Sequence, residues 1–309
     1  MGEKLQNFKE MEEMVLRQGK QKIAVAAAQS EEVLIAVEYA RKKGIVDALL
    51  IGDCQKIEEI CQRNGILLSE YETEEVEEPQ AAAIRAVAAV KEGRAQLLMK
   101  GLLETGDFLK AVLNKETGIR SEKRLCSVVA IESQAISRLL VLADVGTNIA
   151  PDLDIKKSIL ENCMEVAQAM GIDRPKAAVL CAHEHVKEKD MPVTIQAALL
   201  SKMNERGQYG KPGIVEGPIS MDIAVSPHAA KIKKFQGKIK GDADILLVPD
   251  LEAGNILIKG LMYLTNDIRV AGVGMGAKVP VILTSRGDDH DTKYYSIVLS
   301  SLISQFIQV

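Results

Sequence analysis

The sequence predicts an α/β, doubly wound architecture with mostly parallel sheets. Two observations predict it. Short runs of Val, Ile, Leu and Ala alternate along the whole chain with longer stretches of helical periodicity. The runs are also continuously apolar, as strands buried on both faces are, and strands separated by helices are normally parallel. In chain order the expected strands are KIAVAAA (22–28), DALLIGD (47–53), QLLMKG (96–101), SVVAIE (127–132), RLLVLADV (138–145), KAAVLCA (176–182), GIVEG (213–217), ADILLVPD (243–250) and VPVILTS (279–285). Helices are expected between them near 31–43, 54–64, 78–92, 105–114, 154–170, 193–206, 220–235, 254–264 and 289–306. In the last, Tyr294, Ile297, Val298, Ser301, Leu302 and Phe306 recur at three- and four-residue steps, one buried stripe. The acidic run EYETEEVEE (70–78) reads as a solvated loop leading into a helix.

At 309 residues the chain exceeds what a single core usually supports, so two domains are expected. A net charge of −4 and a pI near 5.8 argue against nucleic acid as the main partner. The first twenty residues mix charges with isolated apolar positions and hold no signal-peptide h-region, and no stretch approaches 18 consecutive apolar residues. The expected location is cytoplasmic, with no membrane contact. The five cysteines, Cys54, Cys61, Cys126, Cys163 and Cys181, are odd in number and form no CxxC pair, which suits reduced, buried thiols.

Parallel sheets place ligands outside the carboxyl ends of their strands, where helix N-termini favour anions. The runs here end in Met99-Lys100-Gly101, Ala143-Asp144-Val145-Gly146-Thr147-Asn148, Glu216-Gly217-Pro218, Pro249-Asp250-Leu251-Glu252-Ala253-Gly254-Asn255 and Ser285-Arg286-Gly287. Each end combines a polar or charged residue with a glycine. Taken singly, such an end is more often a helix cap; five of them suggest a shared site. Lys100 and Arg286 suit a phosphate, Arg bidentately and Lys as a point charge. Ser285 lies outside any GxSxG elbow, and no His stands at triad spacing, so it reads as a hydrogen-bond donor toward developing negative charge. Gly272-Val273-Gly274-Met275-Gly276 is not GxGxxG, and no GxxxxGK[ST] occurs. His183-Glu184-His185 and the aspartates 288, 289 and 291 read more readily as surface histidines and helix-capping acids than as metal ligands.

MKGLLETGDFLKAVLNKETGIR (99–120), ADVGTNIAPDLD (143–154), EGPISMDIAVS (216–226), VPDLEAGNILIK (248–259) and VPVILTSRGDDHDTK (279–293) resemble the phosphate acetyl/butyryltransferase family, in matching order from about Lys22 to the C-terminus. The FLKAVLNKETGIR and LLSKMNERGQ segments resemble the butyryl branch most. The resemblance implies two α/β/α domains of the isocitrate/isopropylmalate dehydrogenase-like fold, one discontinuous (1–132 plus 271–309) and one formed by 133–270, with the active site in the cleft between them. It implies reversible transfer of a short acyl group between coenzyme A and inorganic phosphate. Coenzyme A is then a substrate, no cofactor is bound permanently, no metal is a catalytic ligand, and the assembly is a homodimer or higher homo-oligomer.

Carried onto this sequence, the resemblance makes Ser285 the oxyanion donor and Arg286 the phosphate ligand. The acetyl branch assigns the base to an aspartate seven positions beyond that serine, where this chain has Thr292. Asp288 is therefore the candidate base or orienter, although a helix N-terminus lowers an acid's pKa and weakens it as a base. Lys110 stands where relatives often have arginine. Lys100, Thr105, Lys110, Arg120 and Asn255 complete the expected substrate-binding set. The rival expectations are acetyl transfer, a metal- and nicotinamide-dependent hydroxyacid dehydrogenase of the same architecture, and a noncatalytic acyl-CoA or acyl-phosphate binding protein.

Overall fold

The structure, a computed structural model, describes residues 4–285 and 287–308. The elements run α1 (Phe8–Gln18), β1 (Gln21–Ala26), α2 (Glu31–Lys42), β2 (Val46–Gly52), α3 (Cys54–Arg63), β3 (Glu72–Glu75), α4 (Pro79–Lys91), β4 (Leu97–Lys100), α5 (Thr105–Val112), β5 (Cys126–Ser133) and β6 (Ile136–Ala143). They continue as α6 (Leu153–Ala169), β7 (Lys176–Leu180), α7 (Val193–Glu205), β8 (Ile214–Ile219), α8 (Met221–Val225), α9 (Pro227–Ile232), β9 (Ile245–Leu247), α10 (Leu251–Leu264), β10 (Ile268–Met275), β11 (Val281–Ile282) and α11 (His290–Gln308).

The chain divides into two compact units. One holds Phe8–Leu125 together with the chain from Val270 onward; the other holds Cys126–Arg269 with the segment leading to Asn7. The boundaries at 125/126 and 269/270 compare with 132/133 and 270/271 in the sequence reading.

In the first unit the strand order is β3-β2-β1-β4-β11-β10, parallel throughout except that β10 and β11 run antiparallel. Ala24, Ala26, Leu49, Ile51 and Leu98 bury one face of this sheet against the small residues Ala82, Ala83, Ala86 and Ala89 of α4 and against Phe108 of α5. The alanines let α4 lie close to the strands, and Glu78, whose carboxylate accepts the Ala81 N–H at 2.8 Å, starts that helix one residue before Pro79. Tyr294 of α11 is fully buried and packs edge-on against Tyr39 of α2, with ring centroids 4.6 Å apart.

In the second unit the order is β5-β6-β9-β7-β8, with β5 and β6 antiparallel and the remaining pairs parallel. Helix α6 buries Ile159, Leu160, Cys163, Met164 and Val166. The mixed α/β class with mostly parallel sheets is the one the sequence predicts.

Four elements differ from expectation. Helix α1 forms in the charged N-terminal stretch because Phe8, Met11 and Val15, three and four residues apart, are all buried. The acidic run contains an edge strand, β3, whose carboxylates are matched by cations: Glu74 pairs with Arg85 at 2.6 Å and also with Arg94, and Glu72 with Lys22 and Arg94. β10 forms through the glycine-rich segment; a Cβ on Gly274 would stand 2.9 Å from Leu283 Cδ1, so the missing side chains make room for the neighbouring strand. Finally, Pro227 splits the expected 220–235 helix into α8 and α9, with Ser226 capping the second.

Candidate functional site

β4 and β11 are adjacent and parallel, with Val281 beside Leu98 and Ile282 beside Met99. That register brings the carboxyl end of β4, with Lys100, beside the chain leading to Ser285. The neighbouring β1 is laced to the same place: Gly101 donates to the Ala26 carbonyl and Leu102 to the Ala27 carbonyl, both at 2.8 Å. Gly101 permits this approach, since a Cβ there would stand 2.2 Å from the Ala27 carbonyl oxygen. Lys100 is only 3 % exposed, and its ammonium lies 3.4 Å from the Gly101 carbonyl and 3.3 Å from the Leu103 carbonyl. A cation is thus held among carbonyl oxygens where three parallel strands end, a position suited to a charged oxyanion.

The stretch after β11 is a tight turn running into α11. Ser285 is exposed. Its N–H donates to Asp288 Oδ2 at 2.7 Å, and its carbonyl accepts the Asp288 N–H at 3.2 Å. Asp288 is therefore joined to Ser285 through the backbone of the serine. Asp289 caps α11, accepting the Thr292 N–H at 2.8 Å. Burial works against that carboxylate, but the Thr292 N–H and hydroxyl outweigh it and hold its pKa below the ordinary value. Arg286 lies outside the described residues.

Sequence reasoning missed two neighbours. Lys293, 3 % exposed, donates to the Ser285 carbonyl at 3.3 Å and to the Asp288 carbonyl. Burial pushes its pKa down, while Asp288, Glu32 and Asp289 pull it back up. The signal was present: Lys293 stands four residues before Ile297, on a helix whose interior positions are otherwise apolar or small. Thr284 is 5 % exposed, and its hydroxyl has no hydrogen-bond partner among the described residues.

The other expected substrate residues are less closely tied to the serine. Thr105 opens α5 just beyond the Lys100 loop and is exposed. Lys110, on the same helix, has a side chain 80 % exposed and pairs with Asp107 at 2.7 Å. Arg120 is exposed and bridges to Ala277 through its backbone. Among the described residues no hydrogen bond joins Thr105, Lys110 or Arg120 to Ser285. Asn255 belongs to the second unit, where its amide donates to the Val145 carbonyl at 3.1 Å.

The acids of that second unit's strands and strand ends accept backbone N–H groups. Asp144, 2 % exposed, accepts the N–H groups of Ser127, Gly146, Thr147 and Asn148 at 3.2, 2.9, 3.0 and 3.0 Å. Asp250 caps α10 through the Ala253 N–H at 2.9 Å, and Glu216 accepts the Ile239 N–H at 2.7 Å. Beyond β7 and β9 lies a cavity of about 570 Å³ walled mainly by apolar residues, among them Leu180, Met191, Val193, Val248 and Leu257, together with Cys181 and one acid, Asp190. His183 and His185 stand in the loop after β7 rather than on a strand, with the His185 N–H donating to His183 Nδ1 at 3.0 Å. No described helix is long and apolar enough to cross a membrane.

Comparison with known proteins agrees with the chemistry of these strand ends. Residues 69–301 match the family model described as phosphate acetyl/butaryl transferase. A phosphate butyryltransferase from Clostridium acetobutylicum is 43 % identical over 97 % of this chain and 99 % of its own length. A phosphate acetyltransferase from Thermotoga maritima is 42 % identical over 94 % of this chain and 98 % of its own. Among solved structures, a branched-chain phosphotransacylase from Enterococcus faecalis superposes with a TM-score of 0.81 at 31 % identity, covering 92 % of this chain and 99 % of that one.

Proposed function

The chain belongs to the phosphate acetyl/butaryl transferase family, and from that premise we propose that it moves a butyryl-sized acyl group reversibly between coenzyme A and inorganic phosphate. The observation that carries this reading is the buried ammonium of Lys100 on a strand paired in register with the one leading to Ser285, in a chain 43 % identical to a phosphate butyryltransferase.

In the direction of acyl phosphate formation a phosphate oxygen attacks the thioester carbonyl carbon. A C–O bond forms, the carbonyl electrons move onto oxygen, and the C–S bond then breaks to release the coenzyme A thiolate, which takes up a proton. Ser285 donates its hydroxyl hydrogen to negative charge as it develops. Lys100 and Arg286 offset the charge of the phosphate, Arg286 by its place beside the serine in the SRGD motif. Asp288 acts as the orienter of Ser285 rather than as the base, since its Oδ2 is already held by the serine N–H. Thr105, Lys110, Arg120 and Asn255 contact substrate, with the exposed Lys110 suited to the phosphates of coenzyme A. Coenzyme A enters as a substrate rather than a resident cofactor, and a cytoplasmic homodimer or higher homo-oligomer completes the proposal.

The test is phosphate-dependent release of free thiol from butyryl-CoA and acetyl-CoA in parallel. Two methylenes of buried chain should favour butyryl-CoA in kcat/KM by at least about tenfold. Acetyl transfer is the second reading, favoured by the 42 % identity with the Thermotoga enzyme, and equal or better use of acetyl-CoA would establish it. Thiol release that ignores phosphate would overturn acyl transfer to phosphate altogether.

A further inference from the structure

We propose that Lys293 is a positioning residue for the reaction, fixing the peptide of Ser285 from the first turn of α11 without touching substrate. The inference rests on the acyl-transfer reading above and on the hydrogen bonds of one turn. Ser285 is held at both ends of its backbone: its N–H by Asp288 Oδ2 at 2.7 Å, its carbonyl by the Asp288 N–H at 3.2 Å and by Lys293 Nζ at 3.3 Å. The same ammonium also takes the Asp288 carbonyl. One buried cation therefore ties together the two carbonyl groups at either end of the turn, and the helix that carries it is fixed to the core by Tyr294, Ile297 and Val298, each at most 2 % exposed.

Burial of a lysine needs a reason, because desolvation disfavours the charged form. Here the compensation comes from two backbone carbonyls and from three carboxylates that act on the ammonium electrostatically, Asp288 and Asp289 before the helix and Glu32 on α2. A hydrocarbon side chain at 293 would leave both carbonyls without their charged donor. The turn would then be closed only by the bonds between Ser285 and Asp288, and the serine hydroxyl would sample a wider range of directions. Positioning errors of this kind appear in turnover rather than in affinity, because an oxyanion donor acts where charge develops and not on the ground-state carbonyl.

The experiment compares Lys293→Met with wild type in the thiol-release assay, with Lys293→Arg as the conservative variant and Ser296→Ala as a control on the same helix. Lys293→Met is expected to lower kcat about 10- to 100-fold, equivalent to about 1.4–2.8 kcal/mol in the barrier, with KM for acyl-CoA and for phosphate within about twofold. Lys293→Arg should recover part of that loss. Ser296→Ala removes the hydroxyl that accepts the Gly272 N–H at 2.8 Å and should lower Tm while leaving kcat unchanged. If Lys293→Met does not fold, Lys293→Gln is read by the same criteria. A folded Met or Gln variant with wild-type kcat, a loss confined to KM, or an equal kcat loss in Ser296→Ala would each overturn the inference. Absence of phosphate-dependent thiol release in the wild type would instead overturn the functional reading itself.

Discussion

The strand ends of the two units are built from similar residue types and use them in opposite ways. Where β4 and β11 end, cations are buried: Lys100 and Lys293 are each 3 % exposed, both among backbone carbonyls, while Ser285 is exposed. Where β6 and β9 end, Asp144 and Asp250, like Glu216 within β8, are committed to backbone N–H groups, and the space beyond β7 and β9 is walled mainly by Leu, Val, Met, Pro and Ala, with the Cys181 thiol and one carboxylate, Asp190. The one buried lysine described there, Lys156, donates to the Gln196 side chain at 2.5 Å instead of to a strand-end carbonyl. The difference teaches that a polar residue at a strand end becomes informative only once its hydrogen bonds are traced. A carboxylate whose oxygens are filled by its own loop is architecture, whereas an exposed serine whose backbone is clamped is the kind of residue the proposed reaction needs.

The hardest way to break that contrast is to remove the hydroxyl. Ser285→Ala should lower kcat about 10²- to 10³-fold, the size of effect seen when one donor to an oxyanion is lost. The far-ultraviolet spectrum and Tm should stay near wild type, because the bonds of residue 285 described here are made by its backbone. Near-normal turnover would reduce the SRGD turn to a helix cap and erase the distinction between the two units.

The apolar cavity offers the converse measurement. Burial pushes the Cys181 thiol up to about 11, with the charge of Lys156 pulling it only partly back. At pH 8 its thiolate fraction is then about 10⁻³, roughly 250-fold below that of a free cysteine, so alkylation by iodoacetamide should be slower by about that factor. Because the thiolate fraction rises tenfold per pH unit below the pKa, the rate should climb steadily between pH 8 and pH 10. Mass spectrometry of the labelled peptide gives the rate directly. Fast labelling at pH 8 would mean that the cavity is wet and polar, and the contrast with the β4 and β11 ends would weaken.

Much of this was legible in the sequence because the signals were local and strong. Continuously apolar runs located nine of the eleven strands among the described residues, and the Lys100, Asp250 and Ser285 strand ends stood out by composition. What was missed depended on partners distant in sequence. β3 has no apolar face to reveal it, and its pairing with Arg85 and Arg94 appears only when α4 is packed. α1 is legible only once Phe8, Met11 and Val15 are seen to share a face. Lys293 was obscured by the pattern around it, since a lysine inside an apolar stripe reads as a helix edge until the carbonyls it serves are known. The stripe itself overreached by one position: Phe306, its last member, is 42 % exposed.

A smaller effect sharpens the comparison within the first unit. Asp289→Ala removes the cap of α11 and should cost about 1 kcal/mol of stability at pH 7, measured by urea unfolding. The sign of the pH dependence follows from the lowered pKa of Asp289. Its contribution is complete above the unfolded-state value, about 3.9, and is lost as pH falls through the lower folded-state value. The gap between wild type and variant should therefore close below about pH 4. A gap that persisted in acid would assign the loss to packing rather than to the capping carboxylate.

The smallest effect belongs to the most exposed cation. The Lys110 side chain is 80 % exposed, and its 2.7 Å pair with Asp107 is one helical turn long on the surface of α5. Exposed pairs of this kind contribute little, so Lys110→Ala should change stability by less than about 0.5 kcal/mol. If the ammonium meets a phosphate of coenzyme A, KM for acyl-CoA should rise about two- to fivefold with kcat unchanged, and the increase should shrink as ionic strength rises and screens the contact. Lys110→Arg keeps the charge and adds a bidentate geometry, so its KM should equal or fall below wild type. An unchanged KM in Lys110→Ala at low salt would remove this residue from the substrate-binding set and leave the buried cations Lys100 and Lys293 as the ones that matter near Ser285, the outcome that would draw the line between architecture and chemistry most sharply.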